Sequence, residues 1–206
     1  MKKYLGNIFI SSAIFAGASL YADLSQPYAS IHNLPPTPYF VQDGYTIYNF
    51  VSTNNAAVVI DVESQDGGVA RYLAGQAANL PSLQQIYSVN MWQSCDRSQK
   101  QLFRRFLSNV IQENTTQLIT PVRMSSSEAA ISLNVKADLI SLVGANDQQS
   151  IYNDILGWYP HLSDTGVMCG NNWYEPSVQI GVTKAALMLD VPVQVNDTTW
   201  YLVKGS

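Results

Sequence analysis

Short apolar runs alternate with amphipathic segments along most of the chain. Seven runs have the length and the Val, Ile and aromatic content of β-strands: AVVIDV (57–62), QIYSVN (85–90), ITPVRM (119–124), ADLISLV (137–143), GVMCG (166–170), VPVQVN (191–196) and TWYLVK (199–204). The runs near residues 57, 86 and 137 are apolar at almost every position, which is typical of parallel strands buried on both faces.

Segments between these runs predict helices. The clearest spans 99–114, where apolar side chains recur with a 3.6-residue period at Leu102, Phe103, Phe106, Leu107, Val110 and Ile111. Further helices are expected over 150–158 and 177–189, and a short packing helix over 45–52. Strands that alternate with helices imply right-handed βαβ units in a three-layer, Rossmann-like α/β domain with a mostly parallel sheet. The last two strands, expected over Val191–Val195 and Thr199–Val203, are separated only by NDT, which demands an antiparallel C-terminal hairpin at one sheet edge.

The first 22 residues have the order of charge and apolarity that marks a secretory signal peptide. Lys2 and Lys3 form a basic start, an uncharged run follows over 5–20, and small residues precede a cleavage position after Ala22 or Ala18. The sequence therefore predicts export, to a periplasm or outside the cell, with membrane contact only through this segment before cleavage. An uncleaved anchor is the alternative, although an apolar run of about 16 residues is short for a membrane span.

The rest of the chain has the composition of a folded domain, since 47% of all residues are hydrophobic and 13% are charged. Residues 23–44 are rich in Pro, Ser and Tyr and are expected to form an irregular arm on a domain that spans 45–206. The formal net charge of −4 becomes −6 without Lys2 and Lys3, because 9 basic residues then stand against 15 acidic ones. With no basic patch, nucleic acid is not an expected partner.

Two cysteines, Cys95 and Cys169, lie far apart in the sequence. Neither has a second cysteine nearby, so neither a zinc knuckle nor a redox pair is present. Cys169 lies in an apolar run and is expected to be a core residue, which favours two separate thiols. A disulfide between them is the alternative in an oxidising compartment.

Three stretches carry a resemblance to a known family: VVIDVESQDGGVARYLA, IYSVNMW, and the segment from ADLISLVGANDQQSIYNDIL to the helix at VQIGVTKAA. They resemble the class I S-adenosylmethionine-dependent methyltransferases, most closely the subgroup called methyltransferase family 24. The first stretch resembles the first cofactor motif, and the second resembles the second strand, which in relatives ends in an acid followed closely by Trp. The resemblance implies a methyltransferase fold over 45–204 and S-adenosylmethionine as a small-molecule ligand.

The resemblance assigns the cofactor-binding loop to Asp61, Glu63, Gly67 and Gly68, which follow the first strand. Glycines in such a loop permit positive φ angles and close approach of the backbone to a nucleoside. Glu63 replaces the first glycine. Its side chain is expected to crowd the cofactor, and its carboxylate to face the cofactor's own.

Two further positions complete the implied cofactor site. Asn90 stands where relatives have the acid that accepts both ribose hydroxyls. Its amide oxygen still accepts a hydrogen bond but lacks the charge that strengthens one, so ribose binding is expected to be weakened rather than excluded. Gly144, after the fourth strand, preserves the backbone turn of the family.

The positions that in relatives bind a divalent cation or handle the substrate proton have lost their acids and their histidine. Val143, Asn146, Asn171 and Asn172 stand there, and Asp147 is the one remaining carboxylate, although Gly170 keeps the turn. Mg²⁺ prefers carboxylate oxygens, so the sequence predicts no metal site.

No catalytic residue can be assigned. The two histidines are His32, in the proline-rich arm, and His161, which is expected to be a surface or capping residue. Asp66, Asp96 and Asp147 lie near loop ends, where helix capping is an equally good interpretation.

Together these substitutions favour an exported methyltransferase-like protein whose transferase activity is weak, altered or lost, and whose cleft binds another small ligand or is filled. One alternative is an active methyltransferase that acts on a small molecule or sugar hydroxyl by positioning alone. Another is a secreted interaction protein with an aromatic surface, although the same aromatics would also serve to pack the arm onto the domain. These aromatics are Tyr28, Tyr39, Trp173 and Tyr174.

Overall fold

The computed structural model describes residues 44–92, 97–144 and 146–205. Within these ranges seven strands form one sheet: β1 (Val58–Val62), β2 (Gln85–Val89), β3 (Ile119–Val122), β4 (Ala137–Leu142), β5 (Leu162–Gly170), β6 (Gln194–Asn196) and β7 (Thr199–Val203). Their order is β3-β2-β1-β4-β5-β7-β6. Strands β1 to β5 are parallel, whereas β7 pairs antiparallel with both β5 and β6. The predicted Rossmann-like fold with its antiparallel C-terminal hairpin is confirmed.

In the part of the chain that the structure describes, six α-helices cover the sheet: α1 (Gly44–Thr53), α2 (Gly68–Gly75), α3 (Arg97–Gln112), α4 (Ser126–Ser132), α5 (Gln148–Trp158) and α6 (Pro176–Leu189). The helices predicted over 45–52, 99–114, 150–158 and 177–189 are α1, α3, α5 and α6, with ends displaced by no more than two residues. The apolar pattern did not indicate α4. That helix is set by a capping box, in which Ser125 and Glu128 each satisfy the other's backbone N–H.

Two buried clusters form the core, one on each face of the sheet. Side chains of α1, α2 and α3 contribute to the first, and those of α4, α5 and α6 to the second. Strands β1 and β4 supply both clusters, which explains why their sequences are apolar at nearly every position. The strand predicted over 191–196 begins only at Gln194, and Asp197, with φ of 55°, helps to form the tight turn into β7.

The winding of the chain reverses between β1 and β4. From β1 the chain adds β2 and β3 on one side, then crosses to add β4 and β5 on the other. In open α/β sheets ligands bind in the crevice outside the carboxyl ends of the strands at such a switch point. The candidate site is therefore sought where β1 and β4 end.

Some predictions fall outside the described residues. These are the signal peptide over 1–22, the arm up to residue 43, and the residues His32, Cys95 and Asp96. None of the helices in the described ranges is long and apolar enough to cross a membrane.

Close packing of α5 against α6 depends on Gly181. A Cβ there would lie 2.1 Å from Ile151 Cγ2 and 2.6 Å from the Gln148 carbonyl oxygen. We expect Gly181→Ala to lower the free energy of unfolding by about 1–3 kcal/mol, because α6 must move away from α5. Urea denaturation followed by circular dichroism measures this change.

Gly157→Ala in α5 is the matched control. A Cβ at that position would meet only Ala130 Cβ, at 3.7 Å. The greater helix propensity of alanine should leave stability unchanged or raise it by up to ~1 kcal/mol. Equal losses in the two variants would contradict the packing argument.

Candidate functional site

The loop between β1 and α2 runs along the carboxyl edge of the sheet with an unusual backbone. Glu63, Gln65 and Gly67 all adopt left-handed conformations, with φ of 58°, 52° and 90°. Only glycine adopts this region freely, and each of the other two residues pays about 1–2 kcal/mol for it. Contacts from neighbouring elements must therefore hold the loop in place.

Side chains and backbone at the end of β2 provide those contacts. The Gln65 N–H donates to Asn90 Oδ1 at 3.2 Å, and Trp92 Nε1 donates to the Gln65 carbonyl oxygen at 2.8 Å. The Ser64 N–H donates to the Val89 carbonyl oxygen at 3.1 Å. Both Asn90 and Trp92 are buried. The amide oxygen of Asn90, expected to accept a ribose hydroxyl, is thus engaged by the loop itself.

Helix α3 supports the same loop through Phe106. A Cβ on Gly67 would lie 2.9 Å from the Phe106 ring, so this position requires glycine for space as well as for φ. The Phe106 ring also packs against Trp92, with ring centroids 4.6 Å apart. Gly68 begins α2 directly after this contact. The loop therefore has the tight, glycine-dependent turn that the sequence predicts.

Glu63 meets Gly144 at the switch point. A Cβ on Gly144 would lie 2.6 Å from Glu63 Cβ and 3.5 Å from its Cγ, so the Glu63 side chain packs directly against the Gly144 backbone. Val143, just before, packs partly buried against the first core cluster. The loops that leave β1 and β4 are therefore in contact at the switch point.

Acidic groups gather on the α5 side of this contact. Burial raises the pKa of Glu63, and the nearby Asp154 carboxylate raises it further. Burial also raises the pKa of Asp154, against the opposing effect of a hydrogen bond of 2.5 Å from Ser126 Oγ. Trp158 Nε1 in turn donates to Ser126 Oγ at 2.9 Å. The crevice around Glu63 thus favours protonated carboxyl groups or a cationic neighbour, and disfavours another carboxylate.

Asp61 points into the opposite face of the sheet, beneath α2. Its side chain is 1% exposed. Burial raises the pKa of this carboxyl group to about 7, although the Ser64 hydroxyl and the Ala70 N–H favour the charged form. The Asp66 carboxylate raises it slightly further. A carboxyl group in this setting is largely neutral below pH 7.

The loops that follow β4 and β5 are joined by amides. Asn172 Nδ2 donates to Asn146 Oδ1 at 2.7 Å, and the Tyr174 hydroxyl donates to Asn172 Oδ1 at 3.2 Å. Asn171 lies beside them, half-buried. These neutral side chains do not fit a hard divalent cation, which takes charged oxygen ligands. In the described part of the chain no group of three or more His, Cys, Asp or Glu side chains is arranged to hold a metal ion.

The remaining polar candidates have structural roles. Asp147 caps the N-terminus of α5 by accepting from the N–H groups of Gln149 and Ser150, and hydrogen bonds from Ser150 lower its pKa. His161 lies at the amino end of β5, on the edge opposite the site. Its ring nitrogens lie 2.7 Å from the Ala130 carbonyl oxygen and 3.2 Å from that of Val135. His161 is therefore half-buried and links the last turn of α4 to the start of β5.

Other predicted residues are dispersed. Cys169 is buried within β5, as its apolar run predicts. Trp173 packs partly buried on the second core cluster, whereas Tyr174 is 59% exposed. Tyr28 and Tyr39 lie outside the described residues. The proposed aromatic surface is thus represented, among the described residues, by Tyr174.

Sequence reasoning missed four residues that shape the site: Gln65, Trp92, Ser126 and Asp154. Trp92 was detectable, because a buried indole N–H needs an acceptor and a strained loop lies nearby in the motif. Gln65 carries no such signal, since its role comes from its backbone. Asp154 meets Glu63 only through the packing of α5, which no local pattern encodes.

No protein-family model matches the sequence, and no curated protein sequence does. Solved structures match it closely in shape. A protein from Staphylococcus aureus assigned as a caffeoyl-CoA O-methyltransferase aligns with a TM-score of 0.62 over 89% of this chain and 91% of its own, at 11% identity. The fold is that of a class I methyltransferase.

Two further O-methyltransferases show the same agreement. TomG from Streptomyces achromogenes, which is involved in tomaymycin synthesis and was solved with SAM, aligns with a TM-score of 0.60 over 88% of this chain and 89% of its own, at 16% identity. An O-methyltransferase from Bacillus cereus in complex with SAH gives 0.57 over 91% of each chain, at 15% identity. The likeness at these identities is one of methyltransferase fold.

The raised pKa of Asp61 makes stability depend on pH. Between the ordinary value of 3.8 and about 7, the folded protein holds a proton that the unfolded chain releases. The free energy of unfolding should therefore fall as pH rises through this window. Asp61→Asn removes the titrating group, and we expect it to flatten the profile of melting temperature between pH 4 and pH 8.

Ser64→Ala provides a directional control. The Ser64 hydroxyl favours the Asp61 carboxylate, so its removal should move the steep part of the stability profile to higher pH. A profile in Asp61→Asn that keeps the slope of the unmodified protein would assign the pH dependence to other groups.

Proposed function

We propose that this chain is an exported protein of methyltransferase fold whose own loop closes the site where related folds hold S-adenosylmethionine, and whose transferase activity is weak or lost. The observation that carries the proposal is the packing of Glu63 against Gly144 between β1 and β4. A nucleoside and a side chain cannot share that space. Membership in methyltransferase family 24, with altered motifs, belongs to the same proposal.

Three features of the cleft support this proposal. Asn90 is engaged by Gln65 and offers no carboxylate to ribose hydroxyls. Glu63 and Asp154 present carboxyl groups where a cofactor carboxylate would add like charge. The amides of Asn146 and Asn172 bond each other instead of a cation. The cleft lacks the charges that the family chemistry needs.

An active methyltransferase is the second candidate. It is favoured by the retained turn, in which Gly67 has φ of 90° and leads into α2 as in a cofactor loop. The solved complexes of TomG with SAM and of the Bacillus cereus enzyme with SAH show that this fold accommodates the cofactor. Activity here would require the Glu63 side chain to leave its contact with Gly144.

Calorimetric titration of the purified chain with S-adenosylmethionine and S-adenosylhomocysteine separates the two candidates. We expect no saturable heat for either ligand up to about 1 mM, which corresponds to a binding free energy weaker than about −4 kcal/mol. A micromolar Kd for either one would establish the active candidate and overturn the proposal.

Glu63→Gly tests the obstruction directly. The substitution removes the side chain from Gly144 and relieves a left-handed non-glycine residue, so we expect stability to rise by about 1 kcal/mol. We also expect measurable binding of S-adenosylhomocysteine to appear, and to strengthen when Asn90→Asp supplies a ribose-binding carboxylate. The same titration measures both changes.

Asn55→Gly is the matched control, since Asn55 also has a left-handed backbone, with φ of 50°, but precedes β1 at the other edge of the sheet. It should change stability without any gain of ligand binding. If neither Glu63→Gly nor the double variant with Asn90→Asp binds S-adenosylhomocysteine in the titration, the Glu63 side chain is not what prevents binding.

Export has its own test. Residues 1–22 fused to an alkaline phosphatase without its own signal should direct active enzyme to a bacterial periplasm. Ile14→Arg interrupts the apolar run and should abolish that activity. Periplasmic activity that persists in the variant would contradict the signal-peptide assignment.

A further inference from the structure

A row of polar side chains crosses the middle of the sheet beneath α2. Asp61 of β1 is in register with Ser88 of β2 on one side and with Ser141 of β4 on the other. Side chains in register on parallel strands project from the same face, and neighbouring strands lie about 4.8 Å apart. The three side chains are therefore adjacent.

All members of the row are buried, with exposures of 1% for Asp61 and 0% for both Ser88 and Ser141. Ser64, at 6% exposed, follows β1 next to Asp61, and its hydroxyl interacts with the Asp61 carboxyl group. Among the described residues, Asp61 Oδ2 and the hydroxyl oxygens of Ser88 and Ser141 have no hydrogen-bond partner. Three oxygens are thus left without a partner in one small region.

Asp138 shows how the same residue type is treated elsewhere in this sheet. Its Oδ2 accepts from the N–H groups of Ala57 and Val58 at 2.8 and 3.0 Å, and its Oδ1 accepts from Ser163 Oγ at 3.1 Å. The fold is therefore able to satisfy an aspartate in the sheet with its own groups.

Buried polar atoms almost always have a hydrogen-bond partner, which is either protein or ordered water. An internal water typically makes about three hydrogen bonds to buried groups that have no other partner. The row offers this number of oxygens, both donors and acceptors, whereas a dry cavity would need an apolar lining.

We propose that Asp61, Ser88 and Ser141 form a binding site for internal water, in which the Asp61 carboxyl group and the two serine hydroxyls hydrogen-bond the bound molecules. The site lies among the strands, on the face of the sheet opposite the Glu63 crevice. This proposal does not depend on the proposed loss of transferase activity.

The charge state of Asp61 decides between water and a bound cation. A Na⁺ ion would need the ionised carboxylate, whereas burial raises the pKa of this group. Infrared spectroscopy at pH 6 should show the C=O stretch absorption of protonated carboxyl groups, and Asp61→Asn should lower that absorption. Asp138→Asn is the matched control and should leave it in place.

A high-resolution crystal structure of the unmodified protein, grown once in sodium and once in potassium salt, supplies a readout that does not depend on a variant folding. We expect density within about 2.7–3.0 Å of Asp61 Oδ2 and the serine oxygens, the same in both salts. Contacts near 2.4 Å, or density that changes with the salt, would show that the bound species is a cation and not water. No density, with no carboxyl band, would overturn the proposal.

Ser141→Ala adds a stability test. If the hydroxyl binds water, its loss should lower the melting temperature by roughly 2–6 °C, the scale expected for one hydrogen bond in a domain of this size. If the Ser141 hydroxyl has no partner, its burial is unfavourable and Ser141→Ala should raise the melting temperature. A rise in melting temperature would therefore contradict the water site.

Discussion

The hydrogen bonds that Gln65 makes to Asn90 and Trp92 hold the part of this structure on which the candidate site depends. They fix a loop with two left-handed non-glycine residues, which would otherwise relax. The same loop carries Glu63, whose side chain packs against the Gly144 backbone after β4, and the Gln65 N–H engages the amide oxygen of Asn90. One set of contacts thus gives the loop its local order.

Most of the fold could be predicted from the sequence, because parallel strands covered on both faces leave long apolar runs, and a three-residue connection leaves no choice but a hairpin. The helix α4 was missed because it begins with a capping box and not with an apolar stripe. At the site, Glu63 could be singled out by its residue type. Its contact with Gly144 and its interaction with Asp154 depend on how two distant loops pack, and no local pattern carries that information.

The two faces of the sheet handle buried polarity differently at the carboxyl edge. On the α5 side, Ser126 bridges Trp158 and Asp154, so these three side chains are partners of one another. Beneath α2, Asp61 lies in a row where the strands supply oxygens but few partners. A low local dielectric strengthens a hydrogen-bond network in which every group has a partner. It makes a buried group without a partner costly. Buried polar side chains therefore lie on both faces of the sheet.

The ends of the sheet also limit how this protein meets other chains. One edge strand, β3, contains Pro121, which has no N–H to donate, and the other, β6, has only three residues. Neither edge offers a long row of unpaired backbone groups to a passing strand. The described sheet is thus poorly suited to grow by adding strands from another molecule.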